Sequence, residues 1–138
     1  MIEKNDTFEF TKDKPIMYVF DNELLTSDEG KILLNDITIP QLFDYHWKIA
    51  QFMWGPSGSG APLHFHQDAW NAVLFGKKSW SLYPTHNSSY SKKIYPDWNA
   101  PYYCDQYPGD IVYVPDAWSH AVYNHGLTCA IAMEFNYP

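Results

Sequence analysis

The chain contains no arginine: its nine basic residues are all lysines, against sixteen acidic ones and a net charge of −7. An acidic chain without a basic stripe is a poor ligand for nucleic acid, so no nucleic-acid partner is expected. The balance is compatible with a basic partner such as a lysine- or arginine-rich peptide. Cysteine is scarce as well. Cys104 and Cys129 are too few for a disulfide framework and form no C-x-x-C pair, so they read as buried free thiols. No apolar run is long enough to span a bilayer, and residues 1–14 are polar and charged, unlike a leader. The expectation is an intracellular protein, cytoplasmic or nuclear rather than in the endoplasmic reticulum lumen, with no membrane partner. Neither Gly-x-Ser-x-Gly nor a phosphate-cradling P-loop occurs, and no evident pair of carboxylates suits glycoside chemistry.

What is present is aromatic. Six Trp, eleven Tyr and eight Phe make 18% of the chain, which excludes disorder and favours strands over helices. Ten prolines and seven glycines predict many turns. Residues 1–14 are expected to form a flexible arm and 15–138 one domain. Within it, residues 16–20 read as a strand. Residues 24–35 read as the one helix, with Ser27 as its N-cap. From residue 47 onward the pattern is β: strands over 47–54, 63–68, 71–75, 79–83, 110–114, 120–123 and 128–135. Turns are expected at 55–60, at Gly76-Lys77 and at Pro115-Asp116, and residues 84–108 form a long Tyr- and Pro-rich excursion. Many short strands with one minor N-terminal helix indicate an all-β barrel or jelly roll.

The chemistry sits in His64-Phe65-His66-Gln67-Asp68. On an extended strand, side chains i, i+2 and i+4 share a face, so His64, His66 and Asp68 would project together. Imidazoles suit Fe, Zn, Cu and Ni, and two His plus a carboxylate make the facial triad of non-haem Fe(II) sites. His120, at the start of a late strand, is the best third ligand. Spacing alone leaves open whether these are ligands or ordinary strand histidines. His46, His86 and His125 read as surface or packing residues. Lys78, between Phe75 and Trp80, either reaches solvent or is paired inside. With no arginine, any anchor for a dicarboxylate must be a lysine.

These residues lie in two segments, GPSGSGAPLHFHQDAWNAVLFGKKSWSLYPT (55–85) and PGDIVYVPDAWSHAVYN (108–124), that resemble the core of JmjC-domain 2-oxoglutarate oxygenases of the cupin superfamily. The phosphatidylserine-receptor-like lysyl hydroxylases and a small JmjC protein of the endoplasmic reticulum share more of the pattern, and weaker similarity reaches back to Pro15. The resemblance implies a double-stranded β-helix that binds Fe(II) and 2-oxoglutarate and hydroxylates a protein side chain, a Lys-containing peptide first. Oligomeric state is left open. His64 and His120 match the first and last metal ligands, Lys78 the lysine that holds the distal carboxylate of 2-oxoglutarate, Asn71 a polar residue of that pocket and Thr128 a softer candidate for it. The departure lies at the second ligand, where the family has Asp or Glu and this chain has His66. Two registers compete. One makes an all-imidazole triad of His64, His66 and His120; the other slips by two and uses His66, Asp68 and His120. Asp68 can also orient a ligand from behind. Three neutral imidazoles raise the appeal of Zn or another divalent metal. That keeps two alternatives open: a non-catalytic JmjC-like metal- or protein-binding domain, and a three-histidine cupin enzyme without cosubstrate.

Overall fold

The computed structural model describes residues 16–43, 47–92 and 97–136. The arm expected at residues 1–14 and His46 lie outside the described residues. Among the described residues seven strands form one antiparallel sheet: β1 (Val19–Asp21), β2 (Trp47–Gly55), β3 (Gly60–His64), β4 (Ala69–Tyr83), β5 (Tyr102–Gln106), β6 (Ile111–Val114) and β7 (Ser119–Phe135). Their order is β1-β2-β7-β4-β5, with β3 also on β7 and β6 also on β4. The all-β jelly roll expected from the sequence is the fold observed.

Its backbone is the pair β4 and β7, which run alongside each other from Ala69↔Glu134 to Tyr83↔Ser119. The sequence reading breaks each of these into two strands, with a turn at Gly76-Lys77. Instead each is one long strand that bends. The bend in β4 falls at two register shifts, between Val73 and Phe75 and between Phe75 and Lys77, around Gly76 at φ 87°. Gly126, at φ 74°, bends β7 opposite. A bulge adds a residue to one strand and strengthens twist without ending the ladder, so a glycine there mimics a turn in sequence. Beyond the bend the pair changes partners. Its first half in β4 lies between β7 and β6, its second between β7 and β5. β7 likewise passes from β3 to β2. The sheet therefore folds over on itself. Gly76 is obligatory here: a Cβ would lie 2.4 Å from the Leu127 carbonyl oxygen, on top of the left-handed backbone. Gly76→Ala is expected to cost more than about 2 kcal/mol in urea denaturation.

The predicted helix at 24–35 divides into a 3-10 turn (Leu24–Thr26) and a six-residue helix α1 (Gly30–Asn35). Ser27 makes the division, donating its hydroxyl to Leu24 O (2.7 Å) and accepting Gly30 N–H (3.0 Å). It thus closes one turn and caps the next. Leu25, wholly buried, joins Trp70, Met133 and Phe135 in the main core. Burial of Trp70, 1% exposed, contributes on the order of 2–3 kcal/mol. The excursion at 84–108 is not all loop, since β5 within it pairs with β4. Both cysteines are free thiols; Cys129 is buried and Cys104 only half-buried.

Candidate metal centre

β3 and β7 bring the histidines together. His64 and His120 are register partners across this ladder, and their ring centroids are 4.3 Å apart. His66 lies just past the end of β3, its ring 4.6 Å from that of His120 and 5.6 Å from that of His64. One ligand nitrogen from each ring falls within 4.8 Å of the other two. That is the spacing of donors around a single ion.

The backbone sets which nitrogen is offered. His64 Nδ1 lies 2.7 Å from Pro62 O, His66 Nδ1 2.7 Å from Gln67 O, and His120 Nδ1 3.1 Å from Trp118 O. A carbonyl only accepts, so each Nδ1 carries the hydrogen and each Nε2 keeps a free lone pair. Burial lowers the His64 ring below its ordinary range, with the Pro62 bond opposing. Burial lowers His120 further, reinforced by His64 and His66. Neutral rings are what a metal requires. The donor set therefore fits a divalent transition metal.

Asp68 is not brought to this group. β3 ends at His64, so the two-residue alternation assumed through residue 68 stops short. The Asp68 carboxylate instead accepts from the Tyr113 hydroxyl and from Asp116 N–H (3.2 Å). The slipped register with Asp68 as ligand is not the arrangement found. Asp68→Ala is expected to leave zinc affinity within about threefold of the parent and to cost about 1 kcal/mol of stability through the lost bonds. A hundredfold loss of zinc in competition with a chromophoric chelator would restore Asp68 as a ligand. A carboxylate whose field does reach His64 is Glu134, 9% exposed and accepting from Gln51 Nε2 (2.8 Å). The sequence reading missed it because Glu134 stands alone in an apolar strand.

The triad opens into a narrow cleft lined also by Tyr18, Met53, Asn71, Lys78 and Trp80. Lys78 does not reach solvent. It is 1% exposed, and its Nζ donates to the Tyr18 hydroxyl at 3.1 Å. No carboxylate among the described residues pairs with it. Burial pulls its pKa down to about 8, opposed weakly by the Cys129 thiol. Burial also raises the Tyr18 hydroxyl, which stays protonated. Asn71, 4% exposed, has a buried Oδ1 without a hydrogen-bond partner. A buried cation lacking an anion beside an unfilled polar atom fits an anionic ligand. Thr128 is buried but does not line the cleft; its hydroxyl donates to Lys77 O (3.2 Å) and Gly126 O (3.3 Å). Gln106, unremarked in the sequence, fixes the wall: its Oε1 accepts Trp80 Nε1–H (2.8 Å) and its Nε2 donates to Asn71 O (2.8 Å). Trp80 in turn lies 5.8 Å from the His120 ring.

The family profile described as "JmjC domain, hydroxylase" matches residues 82–135, which contain His120 and the whole of β7. Over these residues the chain is similar to the JmjC family. Among JmjC relatives, the bifunctional arginine demethylase and lysyl-hydroxylase psr-1 of Caenorhabditis briggsae is 27% identical over 90% of this chain and 41% of its own length. The 2-oxoglutarate and iron-dependent oxygenase JMJD4 of Gallus gallus is 33% identical over 51% of this chain and 22% of its own. The chain thus spans about two-fifths of the first relative and about a fifth of the second. In fold it matches the Escherichia coli ribosomal oxygenase YcfD solved with cobalt and succinic acid: TM-score 0.65, 17% identity, 95% of this chain and 35% of that one. Among the described residues, no helix is long and apolar enough to cross a membrane.

Proposed function

We propose that this chain is the oxygenase domain of an iron- and 2-oxoglutarate-dependent hydroxylase whose substrate is a protein side chain, with a Lys-containing peptide as the first candidate. One observation carries the reading. Three histidines with Nε2 lone pairs free, and a buried lysine with no counter-carboxylate among the described residues, line the same cleft. His64, His66 and His120 would hold the metal. Lys78, steadied by Tyr18, would hold the distal carboxylate of 2-oxoglutarate, and the open Oδ1 of Asn71 lies on the same wall. Iron with the bound 2-oxo acid supplies the oxidising power for C–H hydroxylation. The chain's part is to fix these groups and keep water out. Met53, Trp80 and Val122 do the latter on the cleft wall, and Gln106 locks Trp80 in place. The relatives' names support the cofactors: one is a 2-oxoglutarate and iron-dependent oxygenase, another a lysyl-hydroxylase.

The test is an anaerobic titration with Fe(II), with and without 2-oxoglutarate, read as the visible charge-transfer band of the metal-bound 2-oxo acid. It is paired with succinate formation once oxygen is admitted. A band absent from His64→Ala and Lys78→Ala supports the reading. Tight zinc binding with no band and no succinate rejects it.

A second reading has its own observation. With His66 at the second-ligand position and Asp68 turned to Tyr113, the triad lacks the carboxylate expected of the family. That leaves a metal site one charge unit more positive and favours zinc or copper over iron. On this reading the domain binds metal and a protein partner without hydroxylating it.

A further inference from the structure

The side of the roll between β5 and β6 is open. Among the described residues both strands pair only with β4, β5 along its C-terminal half and β6 along its N-terminal half. No ladder closes the space between them. An apolar groove occupies it, lined by Leu82, Tyr102, Val112, Pro115 and Trp118. Tyr102 is 53% exposed, with its ring 5.1 Å from that of Trp118. The groove abuts the triad: Leu82 is the register partner of His120, and the Trp118 carbonyl accepts the His120 Nδ1–H.

At Pro115 the surface changes character. The next residue, Asp116, joins Asp68, Gln67 and Asn136 in a polar notch. Among the described residues neither carboxylate has a lysine partner. The turn that carries both groove and notch is strapped to the metal centre, since Ala117 N–H donates to His66 O (3.0 Å). Ala117 takes φ 58°, the one non-glycine at positive φ among the described residues. Strain of this kind persists where surrounding contacts over-determine it. Groove, notch and triad are therefore contiguous parts of one surface.

We infer that this surface binds an extended basic polypeptide segment in which a bulky apolar side chain lies close to a lysine or arginine. The apolar side chain enters the groove between β5 and β6, and the cation meets Asp68 and Asp116, so the chain lies across the mouth of the triad. Charge supports this choice of occupant: the protein carries −7 and no arginine, and among the described residues the notch carboxylates have no lysine partner. An apolar anchor beside a charged rim is how a small surface gains both affinity and register. The inference deepens the oxygenase reading by naming its substrate class, and rests on that reading for the chemistry after binding.

The experiment uses fluorescein-labelled Gly/Ser decapeptides carrying one Lys and one Phe at several spacings. They are titrated against the purified full chain without added metal or 2-oxoglutarate and read by anisotropy. At the best spacing, Phe→Ser and Lys→Glu in the peptide are each expected to weaken binding about tenfold. Tyr102→Ala should erase the Phe preference and keep the Lys preference. Asp116→Lys, at an exposed position, should do the reverse. If no peptide binds, or if both preferences survive both variants, the inference is overturned. Failure here with an intact 2-oxoglutarate-dependent iron complex removes the groove and leaves the oxygenase. Binding with both preferences but no such complex keeps the groove as the docking surface of a non-catalytic domain.

Discussion

Lys78→Met is expected to weaken 2-oxoglutarate binding by about a hundredfold or more while making the cofactor-free protein more stable. The two effects have one origin. A buried ammonium with no carboxylate partner among the described residues is a cost that an anionic ligand relieves. Lowering its pKa from 10.5 to about 8 corresponds to about 3 kcal/mol at roughly 1.4 kcal/mol per unit. Methionine fills similar volume without the charge. It leaves the Tyr18 hydroxyl without its donor, which returns about 1 kcal/mol. A net gain of about 2 kcal/mol should appear as a higher urea midpoint at pH 7. The sign with pH is fixed by the same shift. Between about 8 and 10.5 the unfolded chain holds the Lys78 proton and the folded chain does not, so this group makes stability rise with pH across that window. Lys78→Met should lose that rise. Cosubstrate affinity should run the other way, flat below about pH 8 and falling above it as Lys78 loses its charge. A Lys78→Met protein that is less stable and binds 2-oxoglutarate normally would make the lysine a structural residue.

Replacing His120 by alanine is expected to reduce zinc affinity by more than about a hundredfold, since loss of outer-shell partners alone costs about ten- to a hundredfold. His120 is the most buried of the three histidines, 2% exposed, and its ring stands nearest to both others. The measurement is competition with a chromophoric chelator, with circular dichroism to show that the fold survives. His66→Asp is the informative companion. It restores the carboxylate that the family pattern carries at this position and should shift preference from zinc and copper toward iron and manganese. If succinate formation appears only in His66→Asp, the natural chain is the non-catalytic domain of the second reading. If the parent turns over 2-oxoglutarate, three imidazoles suffice.

The pair His64 and His66 was legible because a strand repeats every two residues, and both do face the same centre. Asp68 was misplaced by the same rule, applied beyond the point where the strand ends. Nothing local marks that end. It is set by Ala117 and Asp116, about fifty residues later in the chain, bonding to His66 and Asp68. Gly76 and Gly126 were legible as backbone exceptions but not as bends. Whether a glycine ends a strand or kinks it depends on whether the partner strand bends with it.

Composition and period were enough for the β architecture and the acidic, arginine-free character, spacing put His64 and His66 on one face, and the resemblance to JmjC domains added roles for His120 and Lys78. All of these are local properties of the chain. It took the packed fold to turn Lys78 inward to Tyr18, to give Asp68 to the Tyr113 turn, and to keep Thr128 outside the cleft. Packing also placed Glu134 near His64 and laid an apolar groove against an acidic notch. Each of these depends on which strand lies beside which, and that is fixed by contacts between residues far apart in the chain, here chiefly the bent ladder of β4 and β7.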